Sequence, residues 1–104
     1  MRLSIPAFWT GLLLALSTAC FAAGQKPQEI YKANCEGCHG SSGRATDLGK
    51  SLGAKSFKDP AVIKAAPSAL AKVIAKGRNQ MPPFEGTLSA VEIKELAKYI
   101  KEMK

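Results

Sequence analysis

The stretch "NCEGCHG", Asn34 to Gly40, gathers two cysteines, a histidine and two glycines into seven residues. Three chemistries use such a cluster: a redox dithiol, a zinc corner, or the anchor of a larger group. A thioredoxin-like C-x-x-C sits at a strand-to-helix turn of an α/β fold, and this chain has no βαβ pattern. A structural zinc site needs four ligands. Beyond Cys35, Cys38 and His39 the sequence offers only Cys20, in the leader, and no second histidine.

Cys35-Glu36-Gly37-Cys38-His39 reads as C-x-x-C-H, the signature of covalent haem attachment. Two thiols add to the two vinyl groups of the porphyrin, and the residue after the second cysteine is carried beneath the iron. Cys35 and Cys38 are thus the expected thioether anchors and His39 the proximal ligand. An electron carrier also needs a sixth ligand, and His39 is the single histidine. Met103 lies near the chain end, on the edge of a helix. Met81 lies in "NQMPPF", where Pro82 and Pro83 restrict the loop, and is the expected distal ligand. His/Met ligation raises the potential and leaves no open iron position, which favours electron transfer over oxygen or peroxide chemistry.

The remaining sequence is consistent with export. Residues 1–22 carry Arg2, an apolar run from Ala7 to Leu16, and then small residues, the order of a secretory signal. The run is too short to favour a membrane span, which takes about 20 residues. Cleavage after Ala22 leaves 82 residues; lipoprotein-type processing at Cys20 is the alternative, and only that would attach the chain to a membrane. Residues 23–104 then form one small domain with 14 Lys and Arg against 8 Asp and Glu, net +6. The lysines are scattered and export argues against nucleic acid, so acidic protein surfaces are the expected partners. Four aromatics remain, Tyr31, Phe57, Phe84 and Tyr99. A core that thin is helped by an apolar cofactor.

No segment of residues 23–104 reads as strand, so the expected fold is all-α. Pro27 suits the first position of a helix running to about Glu36, with Gly37 and Gly40 breaking it. Ser41 to Lys58 reads as one long loop. "DPAVIK" starts a short helix capped by Asp59, and "PSALAKVIAKG" a longer one stopped at Gly77. Ser89 and Glu92 form a capping box for a last helix in which Ile93, Leu96, Ala97 and Ile100 recur with helical period.

Taken together, "CEGCHG", "GRNQMPPF" and "LSAVEIKELAKYI" make residues 25–104 resemble the small mono-haem class I bacterial cytochromes c. The resemblance implies first and last helices packed together around one covalently bound haem c. Tyr31, four residues before Cys35, would meet Leu96 and Tyr99 at their crossing. Phe57, Phe84, Leu70, Ile74 and Leu96 are candidates to wall the ring. The implied function is periplasmic electron transfer between a donor and a terminal acceptor, with no enzymatic activity of its own. The alternative is a haem c subunit that stays in a larger oxidoreductase complex. Two departures stand out. Pro27 occupies a place where the family often has Gly, and "SSGRATDLG" lacks the proline whose carbonyl orients the proximal histidine, leaving the partner of His39 unassigned.

Overall fold

The computed structural model describes residues 24–103, together with Arg2, Ser4 and Gly11. Apart from those three residues, the expected signal segment, Cys20 included, lies outside the described residues, as does Lys104. Among the described residues six helices follow one another: α1 (Pro27–Asn34), α2 (Glu36–His39), α3 (Asp47–Ser51), α4 (Pro60–Lys64), α5 (Pro67–Lys76) and α6 (Ala90–Glu102). Among the described residues the only β-type pairing is an isolated bridge between Arg78 and Met81. The all-α expectation is met. None of the described helices is long and apolar enough to cross a membrane.

Local chemistry explains most of the boundaries. Proline stands at the start of α1, α4 and α5, where its missing N–H costs no helical bond. The Asp59 carboxylate accepts the Ala61 N–H at 2.8 Å and caps α4. At α6, the Ser89 hydroxyl accepts the Glu92 N–H at 3.1 Å while the Glu92 carboxylate accepts the Ser89 N–H at 2.9 Å, so the capping box is complete.

Two expectations about the first half need correction. The opening helix stops at Asn34; Cys35, at φ −118°, makes the break. Helix then resumes and runs through Gly37 to His39, and Gly40 ends it at φ 76°. Gly37 is therefore no breaker, because its backbone stays helical. The stretch from Ser41 to Lys58 is also not one loop, since α3 lies inside it. Thr46 caps α3 by accepting the Gly49 N–H at 3.1 Å.

The core is apolar and small. Ile30, Tyr31, Cys35, Ile74, Ile93, Leu96, Ala97 and Ile100 are buried, and among the described residues no polar or charged side chain is. The largest fully enclosed side chains, Tyr31, Ile30 and Leu96, all lie on α1 and α6, where the two helices cross. Tyr31 meets Tyr99 edge-to-face with ring centroids 5.6 Å apart. The Pro27 departure thus leaves a close α1–α6 crossing intact.

Candidate functional site

Cys35 is buried and Cys38 half-buried, and both are free thiols. One helical turn separates their flanks: the Cys38 N–H donates to the Cys35 carbonyl at 3.2 Å and the His39 N–H to the same oxygen at 2.9 Å. That turn presents Cys35, Cys38 and His39 as a unit. Burial pushes the Cys35 thiol up to about 11, so it stays a neutral thiol at physiological pH. No group of three or more metal-ligating side chains occurs among the described residues.

The turn is clipped from below by α3. Thr46 donates its hydroxyl to the Gly37 carbonyl at 2.7 Å and, more weakly, to the Cys38 carbonyl at 3.3 Å. The Thr46 N–H adds a bond to the Cys38 carbonyl at 2.9 Å. Gly49 lies against the same backbone: a Cβ there would stand 1.9 Å from the Cys38 oxygen. This clip escaped sequence reading. "ATDLGK" does carry a Thr at an N-cap position, but its partners lie eight and nine residues upstream.

Behind the turn, Tyr31 donates its hydroxyl to the Gly40 carbonyl at 2.6 Å. Burial, reinforced by Cys35, Glu36 and Tyr99, holds the Tyr31 phenol well above its usual range, so it remains a donor. His39 is half-buried and stacks on Phe57, with centroids 4.8 Å apart and planes 25° from parallel. Its Nδ1 is buried and makes no hydrogen bond of good distance and angle. Burial lowers the imidazole pKa; the Lys55 backbone, acting as an acceptor, pulls the other way but less strongly.

Met81 belongs to a closed loop. The Arg78 N–H donates to the Met81 carbonyl at 3.1 Å, and the Met81 N–H donates back to the Arg78 carbonyl at 2.9 Å. Asn79 takes φ 52° inside this turn, a left-handed conformation that asparagine tolerates. The loop is then stitched onto α5, with the Phe84 N–H on the Ile74 carbonyl at 3.0 Å and the Glu85 N–H on that of Ala75 at 3.1 Å. Met81 is half-buried and packs against the cluster that contains Cys35, Tyr31 and Leu96.

Of the expected wall residues, Phe57, Leu70 and Phe84 are partly buried, whereas Leu96 and Ile74 are already covered by protein at 0% and 4% exposure. Arg44, Asn79 and Gln80 are exposed. Leu48 on α3 and Leu52 at its C-cap, one turn apart, are 57% and 42% exposed. Free paired thiols, an adjacent imidazole, a thin core and uncovered apolar side chains all fit a covalently bound haem.

Known proteins agree. The sequence family described as "Cytochrome C oxidase, cbb3-type, subunit III" matches residues 22–100. Cytochrome c6 of Leptolyngbya boryana is 35% identical over 82 residues, covering 76% of this chain and 87% of that protein. Cytochrome c-550 of Bacillus subtilis (strain 168) is 34% identical over 82 residues, 79% of this chain and 61% of that one. Among solved structures, the KustC0563 c-type cytochrome superposes with a TM-score of 0.71 at 32% identity, covering 77% of this chain and 99% of that one. Matched along most of its length and folded as these proteins are, the chain belongs to the small mono-haem class I cytochromes c, electron carriers with covalently bound haem c.

Proposed function

We propose that this chain is an exported, periplasmic one-electron carrier in which Cys35 and Cys38 hold the haem, His39 is the proximal ligand and Met81 the distal one. The observation that carries the reading is the Met81 loop. Paired backbone bonds to Arg78 close it, and it packs on the same cluster as Cys35. When bound, the haem supplies a one-electron iron couple, and His/Met ligation sets it at raised potential.

The chain's own residues do the rest. The Cys35–His39 turn holds its three groups in register, and the Thr46 clip fixes that turn from below. Phe84 and Leu70 pack against the same core cluster as Met81, while Leu48 and Leu52 leave apolar surface uncovered. Lysines 26, 32, 50, 55, 58, 64, 72, 76, 94 and 98 are all exposed, which suits docking on acidic redox partners. If transfer to such a partner proves insensitive to ionic strength, that docking idea fails.

The primary test is the oxidised visible spectrum with the intact mass of the secreted protein. A sulfur-to-iron band at the red end, present in wild type and lost in Met81→Ala, supports Met81 ligation; its absence from wild type refutes it. The mass reports one haem, the cleavage point after residue 22, and any lipid on Cys20. A second reading has support in the matched family's description as an oxidase subunit. A subunit would co-purify with a catalytic partner, whereas a carrier comes off alone.

A further inference from the structure

We infer that Phe57 is the positioning residue for the His39 imidazole, taking over the orienting task that a hydrogen bond to the far ring nitrogen usually performs. The inference rests on His39 being the proximal ligand.

A ligating histidine normally donates its other N–H to a carboxylate or carbonyl, and that bond sets the plane of the ring. Here Nδ1 is buried and makes no well-formed bond, and the Lys55 backbone acts on the imidazole only as a weak acceptor. The face of Phe57 stacks on the ring, nearly parallel at 25° and 4.8 Å away. A stacked neighbour at that distance blocks rotation of the imidazole about its bond to the metal, since turning would drive the ring edge into the phenyl face.

Phe57 is itself held firmly enough to serve. Its N–H donates to the Gly43 carbonyl at 2.9 Å. Gly43 has φ 81°, and a Cβ there would come within 2.8 Å of the Phe57 ring, so the glycine leaves space for the phenyl to sit against the main chain. On its other side Phe57 meets Tyr31 edge-to-face, with centroids 6.1 Å apart. Tyr31 is fully enclosed, anchored to the Gly40 carbonyl and braced by Tyr99. A continuous row of rings thus runs from the deeply buried α1–α6 crossing to His39. Gly40, the residue that Tyr31 grips, directly follows His39 and fixes its backbone as well. A phenylalanine that merely filled the core would not need this register.

The imidazole plane governs the splitting of the iron d orbitals, so it is read in the ferric low-spin EPR signal without any activity assay. The test compares haem-loaded wild type with Phe57→Leu and Phe57→Tyr, alongside His39→Ala. The expected result is a shift of the ferric g values and of the midpoint potential in Phe57→Leu, with both restored in Phe57→Tyr, which keeps the stacked ring. Wild-type g values and potential in a haem-loaded Phe57→Leu would overturn the inference, even if that variant were less stable. Should Phe57→Leu fail to fold, magnetisation transfer between the Phe57 and His39 rings in wild-type holoprotein decides. Cross-peaks support the stacking, and their absence overturns it. The reading on which this rests fails separately: it falls if His39→Ala retains the wild-type ferric spectrum.

Discussion

Replacing Gly77 by alanine probes directly how the Met81 loop is held. Gly77 ends α5 at φ 73°, ψ 172°, a region that is nearly exclusive to glycine. Placing a side chain there costs about 1–3 kcal/mol in backbone strain alone. The new Cβ would also stand 2.6 Å from the Met81 carbonyl oxygen and 2.8 Å from the Pro83 nitrogen. Both are main-chain atoms that cannot swing aside. Relief must come from opening the Arg78–Met81 bridge, which forfeits about 1 kcal/mol per hydrogen bond. With both bonds of the bridge lost, the combined cost is about 3–5 kcal/mol. Gly53 supplies the control: it shares a positive φ, 81°, but a Cβ there meets nothing within 4 Å. Its substitution should cost about 1–2 kcal/mol. Guanidinium unfolding of the haem-loaded proteins, followed by far-ultraviolet circular dichroism and separately by the red-end sulfur–iron band, measures both variants. In Gly77→Ala the band should disappear at lower denaturant than the helices, because the strain is placed beside Met81. In Gly53→Ala both should shift together and less. A Gly77→Ala protein no less stable than Gly53→Ala, with its band intact to the unfolding midpoint, would refute the steric argument.

Three further outcomes are expected. Tyr31→Phe leaves the buried Gly40 carbonyl with only a long bond from the Gly43 N–H at 3.4 Å, and should cost about 1 kcal/mol, or about 4–8 °C in Tm by calorimetry of the holoprotein. Leu96→Ala removes a fully enclosed side chain at the α1–α6 crossing and should cost about 2–5 kcal/mol in denaturant unfolding; a loss below about 1 kcal/mol would show that the crossing can collapse around the gap. Glu92 has its carboxyl pKa depressed, chiefly by the Ser89 N–H; desolvation opposes this, and the Ser89 hydroxyl and the Gln25 backbone add smaller lowering contributions. A depressed carboxylate contributes stability above its unfolded value of about 4.3 and loses it as pH falls through the lower folded value. Glu92→Gln should therefore flatten the acid limb of the stability–pH curve below about pH 5, leaving its slope near neutrality unchanged.

The parts of this protein that could be read from its sequence are those whose partners lie within one helical turn. The Ser89–Glu92 box, the Asp59 cap, the prolines at three helix starts and the stop at Gly77 are contacts among neighbours, and each appears where expected. The haem motif is legible for the same reason, since Cys35, Cys38 and His39 share one turn. What escaped depends on contacts between distant residues. The α3 helix is five residues long, below the length at which propensity alone sustains a helix, and it exists because Thr46 and Gly49 dock on the Cys38 backbone. The helix through Gly37 persists because its carbonyl is tied by Thr46, nine residues on, whereas glycine by itself reads as a breaker. The surroundings of His39 are the extreme case. The missing proline after the motif is visible in the sequence, but Phe57 is not a visible replacement. It lies eighteen positions from His39 and twenty-six from Tyr31, so its ring-to-ring register emerges only once α1 and α6 have crossed. The identity of the metal-binding groups is thus a local property of this chain. Their orientation belongs to the tertiary fold, and variants that alter orientation without altering ligation are the ones that should tune the iron.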